Sequence, residues 1–83
     1  MNIESIKTEL EQTMGTFIDQ LHQNHQSKVE GEQYTLFKEK LKDVIFYIVD
    51  KHKLNLMNSE KSQDFLDQLR PSIEMLLEHF YQA

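Results

Sequence analysis

The sequence predicts an all-α fold, a small antiparallel bundle of three helices, on three observations. The 83 residues include only two Gly and one Pro, too few turn formers for a chain of many short strands. Apolar residues recur at steps of three and four in three separate runs, as in helices with one buried face. Short polar segments without such a period separate the runs. A chain of 83 residues is small even for one domain, so residues 1–83 are read as a single helical-bundle domain.

In the first run, Ile3, Ile6, Leu10, Met14, Phe17, Ile18 and Leu21 trace one helical face, with Asn2 as its N-cap. Gly15 lies within this pattern without shifting its phase. It costs the helix about 1 kcal/mol and marks a candidate point of close helix approach. Polar residues from His22 to Lys28, then Gly31, form the first connection. The second helix begins near Glu32, carries Tyr34, Phe37, Leu41, Val44, Ile45, Ile48 and Val49 on its inner face, and fades around His52 to Leu54. Val44 to Val49 is also the one β-like stretch, β-branched and aromatic throughout, but its flanks lack turn residues and only the short segment 53–56 could pair with it.

Residues 55–59 form the second connection, with Asn58 or Ser59 as the next N-cap. The third run is Phe65, Leu66, Leu69, Ile73, Leu76, Leu77 and Phe80, and Pro71 falls inside it. Proline removes a backbone donor and clashes with the preceding turn, so it either kinks a helix or starts a new one. The apolar phase holds from Leu66 to Phe80 and Arg70 is a poor N-cap, which favours one helix kinked at Pro71 over a break that would make four. The only alanine is Ala83. Helix contacts therefore fall to Leu, Ile, Phe and Met, which hold axes toward the wide end of the roughly 8–10 Å range.

Composition excludes several function classes. Nine basic against fourteen acidic residues leave a net charge of −5, unfavourable for a nucleic-acid binder, which needs clustered Lys and Arg. Lys38, Lys40, Lys42, Lys51 and Lys53 are interleaved with acids and turned to different sides, so they are read as solubilising. The absence of Cys removes disulfides, thiolate metal sites and cysteine nucleophiles together. The longest apolar run, Val44 to Val49, is far below the roughly 18–20 residues of a bilayer span. The acidic start around Glu4 does not resemble a signal peptide. The expectation is a cytoplasmic protein that engages neither nucleic acid nor membrane.

No catalytic, metal or cofactor motif stands out. His22 and His25 are three apart, but a third ligand is lacking, and His22, His25, His52 and His79 all fall near helix ends, where a polar or cationic ring suits the helix dipole. Ser59, Ser62 and Ser72 read as cap and surface residues, without the strained turn and partners of a nucleophile. The carboxylates four apart, Glu39 with Asp43, Glu60 with Asp64 and Glu74 with Glu78, read as solvated faces, since acid–base chemistry also needs a concave pocket.

The informative anomaly lies on the second helix. At about 100° per residue, Leu36, Phe46 and Tyr47 point away from the inner face, into the same sector as Glu39, Asp43 and Asp50. An apolar and aromatic patch set among acids costs solubility unless something covers it. The candidate partner-binding residues are therefore Leu36, Asp43, Phe46, Tyr47 and Asp50, and the acids favour a partner with an apolar surface and a basic rim. The expected function is protein–protein contact, as an adaptor, regulator or inhibitor of a larger protein, with the chain a homodimer. More specific versions are a secretion-type chaperone masking an amphipathic helix of its client and a phage-style or immunity-type inhibitor occluding a basic surface. The rival class is a histidine-based metal protein or enzyme.

Overall fold

In the computed structural model, which describes residues 2–24 and 30–82, the chain forms three helices: α1 (Ile3–Asn24), α2 (Glu30–Lys51) and α3 (Ser59–Tyr81). They make a bundle with extents of 42 × 21 × 20 Å. No strand occurs among the described residues, and Val44 to Val49 is helical.

The helix ends follow their side chains. Asn2 Oδ1 accepts from the Ser5 N–H at 3.3 Å, and Asn58 Oδ1 accepts from the Glu60 N–H at 2.7 Å from an extended backbone, each satisfying an orphan donor of the first turn. The second helix stops without a glycine. Lys53 takes the left-handed conformation at φ 52°, its N–H bonding to the Asp50 carbonyl, while the Leu54 N–H bonds to the Val49 carbonyl. That pair of bonds is a Schellman cap built on a lysine.

Two boundaries differ from expectation. Helix α1 runs through His22 to Asn24, where the sequence reads as a connection, because that last turn buries Leu21 and turns the His22 ring to the Phe80 carbonyl. Gly31 belongs to the first turn of α2, where its N–H lacks an intrahelical partner in any helix. His25, part of the expected first connection, lies outside the described residues.

The core is built around α1, whose Ile6, Leu10, Met14 and Ile18 are completely buried. Phe37, Val44 and Ile48 of α2 and Phe65, Leu69, Leu76 and Phe80 of α3 close over them. Cross-helix polar contacts tie both neighbours to α1. Glu9 accepts from Lys51 Nζ at 2.8 Å and His52 Nε2 at 3.2 Å, Asp19 accepts from His79 Nε2 at 2.8 Å, and Glu11 accepts from Ser72 Oγ at 3.0 Å.

Four positions depart from the sequence reading. Ser72 is 2% exposed and sits in the α1–α3 seam rather than on the surface. Its place three residues after Leu69 and four before Leu76 puts it on the buried stripe, and Glu11 satisfies its hydroxyl. At the start of α2, Gln33 is buried while Tyr34 is 37% exposed, so the inner face is rotated by one residue there. Gly15 marks no close approach, since a Cβ built on it would meet nothing within 4 Å.

Pro71 lies inside α3, exposed on its outer side. The helix runs unbroken from Ser59 to Tyr81.

Candidate functional site

All five candidate residues lie on α2 with exposed side chains, Leu36 at 41%, Phe46 at 60% and Tyr47 at 55%, with Asp43 and Asp50 also exposed. They do not form one patch. Leu36 is ten residues before Phe46, about 15 Å along the axis at 1.5 Å per residue. Consecutive residues diverge by about 100°, so Phe46 and Tyr47 leave the helix on opposite flanks of the strip that carries Asp43 and Asp50.

The flanks have different surroundings. Tyr47 lines a crevice on the α1 side together with Glu9, Lys40 and Asp43. Phe46 lines a groove on the α3 side. Each ring also has a lysine of this chain nearby. Lys42 Nζ is 5.9 Å from the Phe46 centroid, and Lys51 Nζ is 5.9 Å from that of Tyr47, within the range of a cation–π contact. A partner cation would compete with them.

The groove is the larger feature, with a volume of about 660 Å³. It exists because α2 and α3 both pack on α1 but not on each other: among the described residues no Cα of α2 lies within 8 Å of one in α3. Toward one end their side chains do meet, with Phe80 centroids 5.0 Å from Phe37 and 6.3 Å from Tyr34. Further along, Leu41, Ile45 and Val49 form the α2 wall, and Phe65 and Leu66 face them from α3. Phe65 is buried, whereas Leu66 is 42% exposed. The ionisable residues lining the groove are Lys38 and Lys42, with no acid among them.

Sequence reasoning missed this groove, although its signal was present. Leu41, Ile45 and Val49 form a second stripe beside Phe37, Val44 and Ile48, and Leu66, Ile73 and Leu77 do the same beside Phe65, Leu69 and Leu76. Paired stripes of half-buried residues make an apolar face wider than a simple bundle seam needs.

The polar constellations link the helices to one another. Glu9 is held below the ordinary carboxylate range by its hydrogen bonds from Lys51 and then from His52, and Lys51 is correspondingly raised by Glu9. His22 Nε2–H donates to the Phe80 carbonyl at 3.0 Å, satisfying one of the last-turn acceptors of α3. No group of three or more metal-ligating side chains occurs among the described residues, and no helix among them is long and apolar enough to cross a membrane. Comparison with protein-family models, with curated proteins and with solved structures gives no match.

Proposed function

We propose that this chain is a protein–protein interaction module, an adaptor, regulator or inhibitor of a larger protein, without catalysis or a cofactor of its own. The observation that carries the reading is the exposure of Leu36, Phe46, Tyr47 and Leu66 at 41, 60, 55 and 42%. Large apolar side chains exposed at several points on α2 and α3 cost solubility unless partners cover them. The net charge of −5 supports a protein partner over nucleic acid. On the strip between the Phe46 and Tyr47 flanks, Asp43 and Asp50 favour a partner with a basic rim, as an inhibitor of a basic surface would need.

We also propose a homodimer working in the cytoplasm. In the bundle itself, the pairs Glu9–Lys51, Glu11–Ser72 and Asp19–His79 support an up-down-up, antiparallel order; the bend of α3 at Pro71 is proposed separately, because proline removes a backbone donor there. A second reading, a secretion-type chaperone that masks an amphipathic helix of its client, is favoured by the open groove between α2 and α3.

Affinity capture from the native host, with partners identified by mass spectrometry and metal measured by elemental analysis, tests the reading. One specific protein retained by the wild type and lost with the folded Phe46→Ala/Tyr47→Ala variant is expected. Stoichiometric metal without a protein partner overturns it. Sedimentation at micromolar concentration is expected to give about twice the monomer mass, and a clean monomer removes the homodimer.

A further inference from the structure

We infer that the α2–α3 groove receives an amphipathic helical segment of another protein, one that carries carboxylates beside its apolar ridge. The inference rests on the second reading above, the masking of a client's amphipathic helix, and names the chemistry of the segment this groove takes. Shape is the first argument. Two sides of α1 are covered by α2 and α3, while α2 and α3 stay more than 8 Å apart at every Cα pair. Packed helix axes lie roughly 8–10 Å apart, so a fourth helix laid along this opening contacts both walls. The stretch from Lys38 to Val49 spans about 16 Å at 1.5 Å per residue, which seats about three turns.

The walls specify what enters. Leu41, Ile45 and Val49 stand on successive turns of α2 and face Phe65 and Leu66, so residues at helical spacing on the incoming segment meet apolar surface along its length. Charge then selects among amphipathic helices. Lys38 and Lys42 lie one turn apart beside the groove, exposed, and neither forms an ion pair among the described residues. They stand near the Tyr34 and Phe46 rings, at 4.9 and 5.9 Å from the centroids. With no acid in the lining, the negative charge that complements them comes from the occupant. A second copy placed groove to groove brings only lysines, Ser62 and apolar residues to this rim.

The test uses the full chain and two fluorescein-labelled 15-residue probe peptides. Both carry Leu at i, i+3, i+4, i+7 and i+11, one with Glu and the other with Lys at the flanking positions. Fluorescence anisotropy is expected to show the Glu peptide binding at least about tenfold more tightly, with the preference shrinking as salt is raised. Lys38→Glu/Lys42→Glu is expected to invert the preference, and Leu66→Asp to abolish binding of both peptides. Thr8→Ala, exposed on α1 away from the groove, is expected to change neither affinity. Circular dichroism confirms that each variant folds.

Failure to bind the Glu peptide, equal binding of the two peptides, or indifference to the lysine reversal overturns the inference. Loss of self-association in Leu66→Asp, with no peptide bound by the wild type, assigns the groove to a second copy instead. A partner captured from the host by a chain that ignores the Glu peptide leaves the interaction reading standing while the groove assignment falls.

Discussion

Replacing Phe46 by alanine separates a binding residue from a core residue, and its cost follows from exposure. Full burial of a Phe side chain contributes about 1.5–3 kcal/mol. Phe46 is 60% exposed, so about two fifths of that, roughly 0.6–1.2 kcal/mol, is at stake. Alanine recovers up to about 0.7 kcal/mol through its better helix propensity. The net loss is therefore about 0.5 kcal/mol, or about 2–4 °C in Tm for a domain of this size. Phe65 lines the same groove but is 2% exposed. Phe65→Ala is expected to lose about 3–5 kcal/mol from a total of about 4–12 kcal/mol at the usual stability per residue. Urea and thermal melts followed by far-ultraviolet circular dichroism measure both. Partner binding is expected to weaken by about 1–3 kcal/mol in folded Phe46→Ala, the range of an interface hot spot. A stability loss above about 2 kcal/mol in Phe46→Ala, or partner binding unchanged in it, refutes the assignment.

Gly15→Ala is expected to stabilise the chain by about 0.5–1 kcal/mol, because the site is helical and a new Cβ meets nothing within 4 Å; a lower Tm shows a clash. Lys53→Gly is expected to add about 0.5–1 kcal/mol by relieving the left-handed backbone at φ 52°, and a loss in urea melts counts against that cap. Glu9→Gln tests the acid dependence of stability. The Glu9 carboxyl is lowered from its ordinary value of 4.5 by bonds from Lys51 and His52, so its contribution is present above that value and fades as pH falls through the lower folded one. Wild type is expected to melt higher than Glu9→Gln at pH 7, with the two converging in acid; a constant gap across the range excludes this linkage.

The fold was legible because each helix announces itself by period, and α1 and α3 by a cap as well. Ile6, Leu10, Met14 and Ile18 mark the central helix by spacing, and Asn2 and Asn58 fall where their side chains cap a first turn. What escaped the sequence depends on neighbours. Ser72 reads as a surface serine until Glu11 is known to face it across the α1–α3 seam. His22 reads as a loop residue until the Phe80 carbonyl lies 3.0 Å away. For the candidate site, the helical wheel predicted that Leu36, Phe46 and Tyr47 are exposed. Their divergence onto two flanks also follows from the wheel; which helix packs beside each, α1 by Tyr47 and α3 by Phe46, does not.

The open groove itself has a cause in the side chains. No alanine precedes Ala83, the facing walls are large side chains apart from Ser62, and Phe80 meets Phe37 at 5.0 Å between centroids where the two helices converge, acting as a spacer. Closing the rest would press Leu41, Ile45 and Val49 onto Leu66 and gain apolar burial. It would also draw Lys38 and Lys42 toward the seam, and lysine is almost never fully buried without a partner for its charge. The α3 wall supplies only Ser62, Phe65 and Leu66, none of which neutralises an ammonium group. Bulk at one end, and cations that have no ion pair among the described residues along the rim, thus oppose closing the groove. A helix that brings its own carboxylates removes the second obstacle, so filling the groove from outside is electrostatically easier than closing it from within.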